Sequence, residues 1–381
     1  MLYLDNSATT KPYKDVLSTY IKVTEEYFAN PSSIHKLGSE AEALLTQSRK
    51  QVASLLGVLD EEIIFTSGGT EGNNLAIKGA AFANRQKGNH IITTVIEHPS
   101  VLEACKQLET IHGYHVTYLE VDENGRVAVE DVKEALQKNT VLVSIMHVHN
   151  EIGTIQQIEE IGQVIKQYSN AIFHVDHVQG ITKVPLKFYK SGIDLCTISG
   201  HKFHGLNGTG ALFVRKGVQL VPLFSGGAQE LQLRSGTESL AGDVALAKAL
   251  RMSFEKGNQQ IESLFQTHKK LRFELMKIEG VKINTPEDFY APHIINFSVP
   301  ALKSEVLIHF FGENNIFVST TSACSSRSKK MSQALLSMNK SEDIAKSAIR
   351  VSLSLDHNED IIDPFVSTLK KGIEKLTKVM R

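Results

Sequence analysis

The sequence predicts an α/β fold: a three-layer α/β/α domain with a mostly parallel sheet, followed by a smaller α+β C-terminal domain. Three observations lead there. From about residue 60 to 215, short β-rich runs alternate with segments of helical length. Several of the β-rich runs are continuously apolar, as strands buried on both faces are. After residue 237 the alternation gives way to long helical spacing and then to short mixed elements.

The candidate strands are Ile63 to Thr66, Ile91 to Thr94, Val116 to Leu119, Val141 to Met146, Ile172 to Asp176, Leu195 to Ser199 and Gly210 to Val214. Between them, Thr70 to Lys87, Ser100 to His112, Glu130 to Lys138 and Ile158 to Tyr168 have helical length. Right-handed crossovers join parallel neighbours in such an arrangement. Apolar residues from Leu240 to Leu250, and again from Ile261 to Leu275, repeat at helical spacing, which predicts one long helix or two in tandem. Beyond them, His293 to Val299 and Ile316 to Ser319 read as strands, and Ser304 to Phe311 and Asp360 to Val379 as helices. The expected division is a segment 1–13 packing with the small domain, a large domain 14–252 and a small domain 253–381.

Composition narrows the function classes. The 381 residues carry 41 Lys plus Arg against 42 Asp plus Glu, a formal net charge of −1. That balance argues against direct nucleic-acid binding. No window approaches about 18 uninterrupted apolar residues, so no membrane span is expected. The start, Met1-Leu2-Tyr3-Leu4-Asp5-Asn6, lacks the basic and apolar regions of a secretory signal. Cys105, Cys196 and Cys324 form no Cys-x-x-Cys pair, so neither a disulfide framework nor a thiolate zinc site is expected. The expected compartment is the reducing cytoplasm.

Four motifs carry chemistry. In Thr66-Ser67-Gly68-Gly69-Thr70-Glu71-Gly72, a strand turns into a helix through glycines, the setting in which helix N–H groups hold a phosphate. Thr70 is the expected helix cap there. It matches neither the Walker nor the dinucleotide pattern. Asp176 ends a buried strand in Phe173-His174-Val175-Asp176-His177-Val178-Gln179-Gly180, at the sheet edge where ligands bind. Lys202 follows the next strand in Ser199-Gly200-His201-Lys202, and a lysine there is costly to bury unless neutral, paired or covalently used. Asp at one strand end and Ser-x-His-Lys at the next is the pattern of a pyridoxal phosphate site. Lastly, Cys324 sits among Ser319 to Ser328 hydroxyls and is followed by Arg327, Lys329 and Lys330. That polar, cationic setting favours a reactive thiolate, whereas Cys105 and Cys196 read as buried packing residues.

With these residues in order, and with Tyr3-Leu4-Asp5-Asn6-Ser7-Ala8-Thr9-Thr10 and Asn30-Pro31-Ser32-Ser33-Ile34-His35 before them, the chain resembles the cysteine desulfurases of the NifS/IscS family. These are fold-type I pyridoxal phosphate enzymes of the class V aminotransferase group. The resemblance implies that Lys202 carries the cofactor and shuttles protons, that Asp176 pairs with the pyridinium, that Gln179 bonds the phenolate oxygen and that His98 stacks on the ring. It implies that Gly69, Thr70, Ser199 and His201 hold the phosphate, and that Thr237 reaches the phosphate of a second subunit in a homodimer. Asn150 and Arg350 would fix the carboxylate of L-cysteine. Cys324 would accept the sulfur as a persulfide and pass it to a protein acceptor, on a Ser/Thr-rich loop able to swing outward.

Two positions depart from the family pattern: His177 stands where many relatives have Ala, and His149 where Asn is common. The Cys324 segment is similar to the subgroup that supplies a tRNA 4-thiouridine sulfurtransferase, as against one supplying an iron–sulfur scaffold. Selenocysteine lyase or C–S lyase activity remains an alternative on the same fold. A zinc hydrolase built on His147, His149, His174 and His177 is a further one, but it leaves Lys202 and Cys324 unexplained.

Overall fold

The computed structural model describes residues 1–320 and 331–380. Chain order begins with β1 (Leu2–Tyr3), α1 (Lys14–Glu26) and α2 (Lys36–Leu56). Next come β2 (Ile63–Thr66), α3 (Gly69–Ala83), β3 (His90–Thr94), α4 (Pro99–His112), β4 (His115–Leu119), α5 (Val129–Ala135), β5 (Thr140–Ser144), α6 (Ile158–Tyr168), β6 (Ile172–Asp176), β7 (Leu195–Ser199) and β8 (Gly210–Val214). A 37-residue helix α7 (Leu240–Met276) leads to β9 (Lys282–Ile283), β10 (Ile294–Ser298), α8 (Ser304–Glu313) and β11 (Ile316–Phe317). Two short helices, α9 (Gln333–Ser337) and α10 (Glu342–Lys346), precede β12 (Ala348–Ser352) and α11 (Ile362–Met380).

Seven strands form the main sheet in the order β2-β8-β7-β6-β5-β3-β4. β3 to β7 pair in parallel, and β8 runs antiparallel to both of its neighbours, β2 and β7. The sheet is therefore mostly parallel with one reversed strand. Successive strand residues turn to opposite faces, and both faces are buried. Ile63, Ile92, Val143 and Ile198 enter a core shared with α1, α2, α6 and the start of α7. Their neighbours Ile64, Ile91 and Leu142 enter the core under α3 and α4. That double burial explains why these runs are apolar without alternation.

A C-terminal core gathers β10, β12, α8 and α11 around Phe297, Phe311 and Phe365. One helix, α7, joins it to the core that α1 and α2 cover: Leu246 and Leu250 belong to that core, Leu264, Leu271 and Leu275 to the C-terminal one. The N-terminal strand β1 pairs in parallel with β11, and Asp5 bridges to Ser352. The chain start thus runs from the C-terminal core to the end of β7, where the Thr10 N–H donates to the His201 carbonyl (2.8 Å).

Candidate active site

The C-terminal ends of the parallel strands point the same way, so the loops leaving them meet. There the structure encloses a cavity of about 280 Å³, lined among others by Gly69, Thr70, His98, Asn150, Asp176, Gln179, Ser199, His201, Lys202 and Arg350. Residues from Ser7 to Arg350 are thereby brought to one place. Thr237 is not among them; it is exposed and faces a separate surface hollow with Phe224 and Arg234.

Asp176 ends β6, nearly buried. Its Oδ1 accepts from the Val178 N–H (3.0 Å) and its Oδ2 from Asn73 Nδ2 (2.8 Å). The same Asn73 amide donates to Ser100 Oγ (2.9 Å), and Ser100 Oγ lies 2.8 Å from His98 Nδ1. Asn73 is four residues beyond Gly69, hence on the same face of α3. Sequence reasoning passed over it, although that spacing was the available signal.

His98 precedes Pro99 at the start of α4, and its Nδ1 accepts from the Ser100 N–H (3.1 Å). Burial lowers its pKa, opposed by Asp176 and reinforced by Lys202. The ring is therefore neutral, with its proton on Nε2. Burial likewise holds His201 down to about 4, helped by Lys202 and His98.

Lys202 ends a single 3₁₀ turn after β7. Its Nζ donates to the carbonyls of Ser7 (2.6 Å) and Ala8 (2.8 Å). Gln179 Nε2 donates to the same Ser7 carbonyl (3.0 Å). The N-terminal segment thus anchors the lysine.

Arg350 lies mid-strand in β12 and is 1 % exposed. One Nη donates to the Asn150 carbonyl (2.9 Å) and the other to Asp5 Oδ1 (2.7 Å). Its Nε is buried without a partner among the described residues. Asn150 and Arg350 do meet, and Asp5 joins them.

At the phosphate end the expected cap is revised. Gly68, not Thr70, occupies the helix N-cap, with φ of +143°. That backbone region is essentially closed to residues with a Cβ. Thr70 falls at the second position of the first turn, because the chain turns at the glycine.

The cavity suits pyridoxal phosphate. The N-terminus of α3, opening on two glycines beside Ser199, is an anion cradle. Asp176 offers a carboxylate in the same cavity, and Lys202 a primary amine. Asn73 Oδ1 and Ser7 Oγ are buried without partners among the described residues, as polar atoms awaiting a ligand would be.

The histidine-rich strand edge is differently used. His147 and His177 bond each other through Nδ1 (2.8 Å), and His174 bonds Ser144 and Thr197. His149 Nδ1 accepts from the N–H groups of Glu151 and Ile152. Among the described residues no group of three or more His, Cys, Asp or Glu is placed to hold a metal ion. Cys105 and Cys196 are buried free thiols, their pKa values raised by burial. Cys324 lies outside the described residues.

A family model, aminotransferase class-V, matches residues 2–365. The chain belongs to the class-V aminotransferase family, among its pyridoxal-phosphate-dependent cysteine desulfurases. It is 44 % identical over 381 residues to a "NifS/IcsS protein homolog" of Lactobacillus delbrueckii subsp. bulgaricus, covering 100 % of this chain and 99 % of the relative. It is 41 % identical over 379 residues to "Cysteine desulfurase IscS" of Dictyoglomus turgidum, covering 99 % and 96 %. Among solved structures, a "NIFS-LIKE PROTEIN" superposes with a TM-score of 0.92 at 36 % identity, covering 98 % of this chain and 99 % of that one. A structure described as "SspA in complex with cysteine" superposes with a TM-score of 0.82 at 35 % identity, covering 93 % and 99 %.

Proposed function

We propose that the chain removes the sulfur of L-cysteine, leaves L-alanine, and holds the sulfur as a persulfide on Cys324. The observation that carries this reading is the shared cavity of Asp176, Lys202 and Arg350. A relative that shares the fold is described in complex with cysteine.

The bound cofactor supplies a cationic conjugated ring that stabilises negative charge at the substrate α-carbon. Asp176, its carboxylate fixed by Asn73 and the Val178 N–H, would hold the ring nitrogen. The neutral His98 ring would lie against the cofactor ring. Gly69, Thr70, Ser199 and His201 would hold the phosphate at the start of α3, and Gln179 would bond the phenolate oxygen. Arg350 and Asn150 orient the substrate carboxylate, the guanidinium offering a fork. Lys202 Nζ takes the proton from the substrate α-carbon, guided by the Ser7 and Ala8 carbonyls. The Cys324 thiolate then attacks the substrate sulfur: the new S–S bond forms as the substrate Cβ–S bond breaks, and the carbon keeps that electron pair and takes a proton to leave as alanine.

The proposed assembly is a homodimer in which Thr237 completes the partner's phosphate site. Phe28, Ile34, Phe224 and Leu231 stand more than half exposed, which supports a covered surface. The sulfur passes to a protein acceptor for tRNA thiolation or iron–sulfur assembly, in the cytoplasm. The proposed division of the chain, at residue 253, falls within α7. No helix among the described residues is long and apolar enough to cross a membrane.

Stoichiometric alanine and sulfide from L-cysteine and a thiol reductant test the reaction. Lys202→Ala should lose both that turnover and the visible absorbance of the bound cofactor. Retained turnover would refute the lysine's role. Equal turnover of selenocysteine after Cys324→Ala would favour the lyase alternative.

A further inference from the structure

A second cavity, of about 300 Å³, lies behind the cofactor lysine, between the end of α2, the loop 181–188 and the middle of α7. Its walls are apolar, chiefly Leu55, Leu186, Phe188, Phe254 and Ile261. Among the described residues its charged lining is Lys183 and Lys187, with no Asp or Glu. His177 also contributes, but burial keeps its ring uncharged.

Lys183 is 7 % exposed. Its Nζ donates to the main-chain carbonyl of Lys202 (3.1 Å), its one hydrogen bond among the described residues. An ammonium has three donors, so two remain. Burial lowers its pKa to about 8, which leaves it mostly charged at neutral pH. Its chain neighbour Thr182 lines the same cavity, and Thr182 Oγ1 is buried without a partner among the described residues. Thr182 itself is held at φ of +66°, a conformation uncommon for a β-branched residue. Desolvating a cation with so few acceptors is costly unless an anion joins it. A mostly apolar pocket with one oriented polar anchor is the usual form of a small-molecule site.

We propose that this cavity binds small amphipathic monocarboxylates. The carboxylate takes the spare donors of Lys183 and the Thr182 hydroxyl, and the alkyl or aryl body lies along Leu55, Phe254 and Ile261. The site is separate from the cofactor cavity, and the two meet at Lys202, whose carbonyl Lys183 holds.

The test is calorimetric titration of the holoenzyme with octanoate and, in parallel, with octanol. Octanoate should bind at least tenfold more tightly than octanol, a difference of about 1.4 kcal/mol. Lys183→Arg should keep octanoate binding and Lys183→Met should lose at least tenfold. Ile261→Phe narrows the cavity without touching the lysine; it should weaken octanoate and leave cysteine turnover unchanged. Arg350→Ala should bind octanoate as the wild type does, because the other carboxylate-binding residue is not involved. Equal binding of octanol, no binding by the holoenzyme, undiminished binding by Ile261→Phe, or loss in Arg350→Ala would each overturn the proposal. If Lys183→Met fails to fold, the Arg and Phe variants decide.

Discussion

Glu97→Gln should change how stability depends on pH. Glu97 sits between β3 and His98, fully enclosed. Its Oε1 accepts from the Met146 N–H (2.8 Å) and the Thr94 hydroxyl (3.0 Å), and Oε2 is buried without a partner among the described residues. Burial, with a smaller push from Asp176, raises its pKa from 4.5 to about 8, against the two hydrogen bonds. Between those values the folded protein keeps a proton that the unfolded chain releases. The unfolded state binds fewer protons, so this group makes stability fall as pH rises, by about 1.4 kcal/mol per pH unit. From pH 5.5 to 7.5 that amounts to roughly 2–3 kcal/mol. A glutamine keeps the carbonyl that Met146 needs and cannot ionise. Urea unfolding of the cofactor-free protein should therefore show the variant gaining on the wild type by that amount over the interval. Because other groups titrate equally in both proteins, the difference isolates Glu97. Parallel pH profiles of the two proteins would refute the assignment of a neutral carboxyl at this position.

The buried histidines act in the opposite sense. His147, His174, His201 and His204 are each held down to about 4 by burial. The unfolded chain binds protons that the folded protein refuses, so stability should fall as pH drops below 6.5, and acid titration of unfolding midpoints would show it. Asn73→Ala removes one charged hydrogen bond from Asp176, worth about 1.5–3 kcal/mol; cofactor affinity by equilibrium titration should fall roughly 10- to 100-fold. Gly72→Ala would place a Cβ 2.7 Å from Thr197 Cγ2 on β7, which should cost about 1–3 kcal/mol in thermal or urea unfolding. Arg350→Lys removes the fork, so KM for cysteine should rise more than kcat falls in steady-state assays.

Much of this site was legible because a parallel sheet turns sequence order into position. Asp176 and Ser199 end apolar runs, and strand ends share one edge, so motifs far apart in the chain had to converge. What escaped lay where no such pattern operates. α1 and α2 drew no assignment, since their apolar residues are divided between one core and an exposed face; Ile34 and Phe28 beside them are largely exposed. β12 is five residues long with a charged centre, and Arg350 read there as an Arg-bearing motif without a strand. The reversal of β8 depends on pairing, which composition does not encode. Asn73, Asp5 and Glu97 are polar residues whose importance comes from partners 103, 345 and 49 residues away. The Thr70 cap was misplaced by two residues because Gly68 adopts a positive-φ backbone and caps the helix with no side chain.

The central claim is that a single thiol of this chain carries the sulfur between substrate and acceptor. After one turnover with L-cysteine and rapid acid quenching, peptide mass spectrometry should find one added sulfur atom on the peptide containing Cys324, removable by a thiol reductant. Peptides with Cys105 and Cys196 should be unchanged, and Cys324→Ala should release no alanine. Alanine formed at the wild-type rate by Cys324→Ala, or the added sulfur found on another cysteine, would contradict the account.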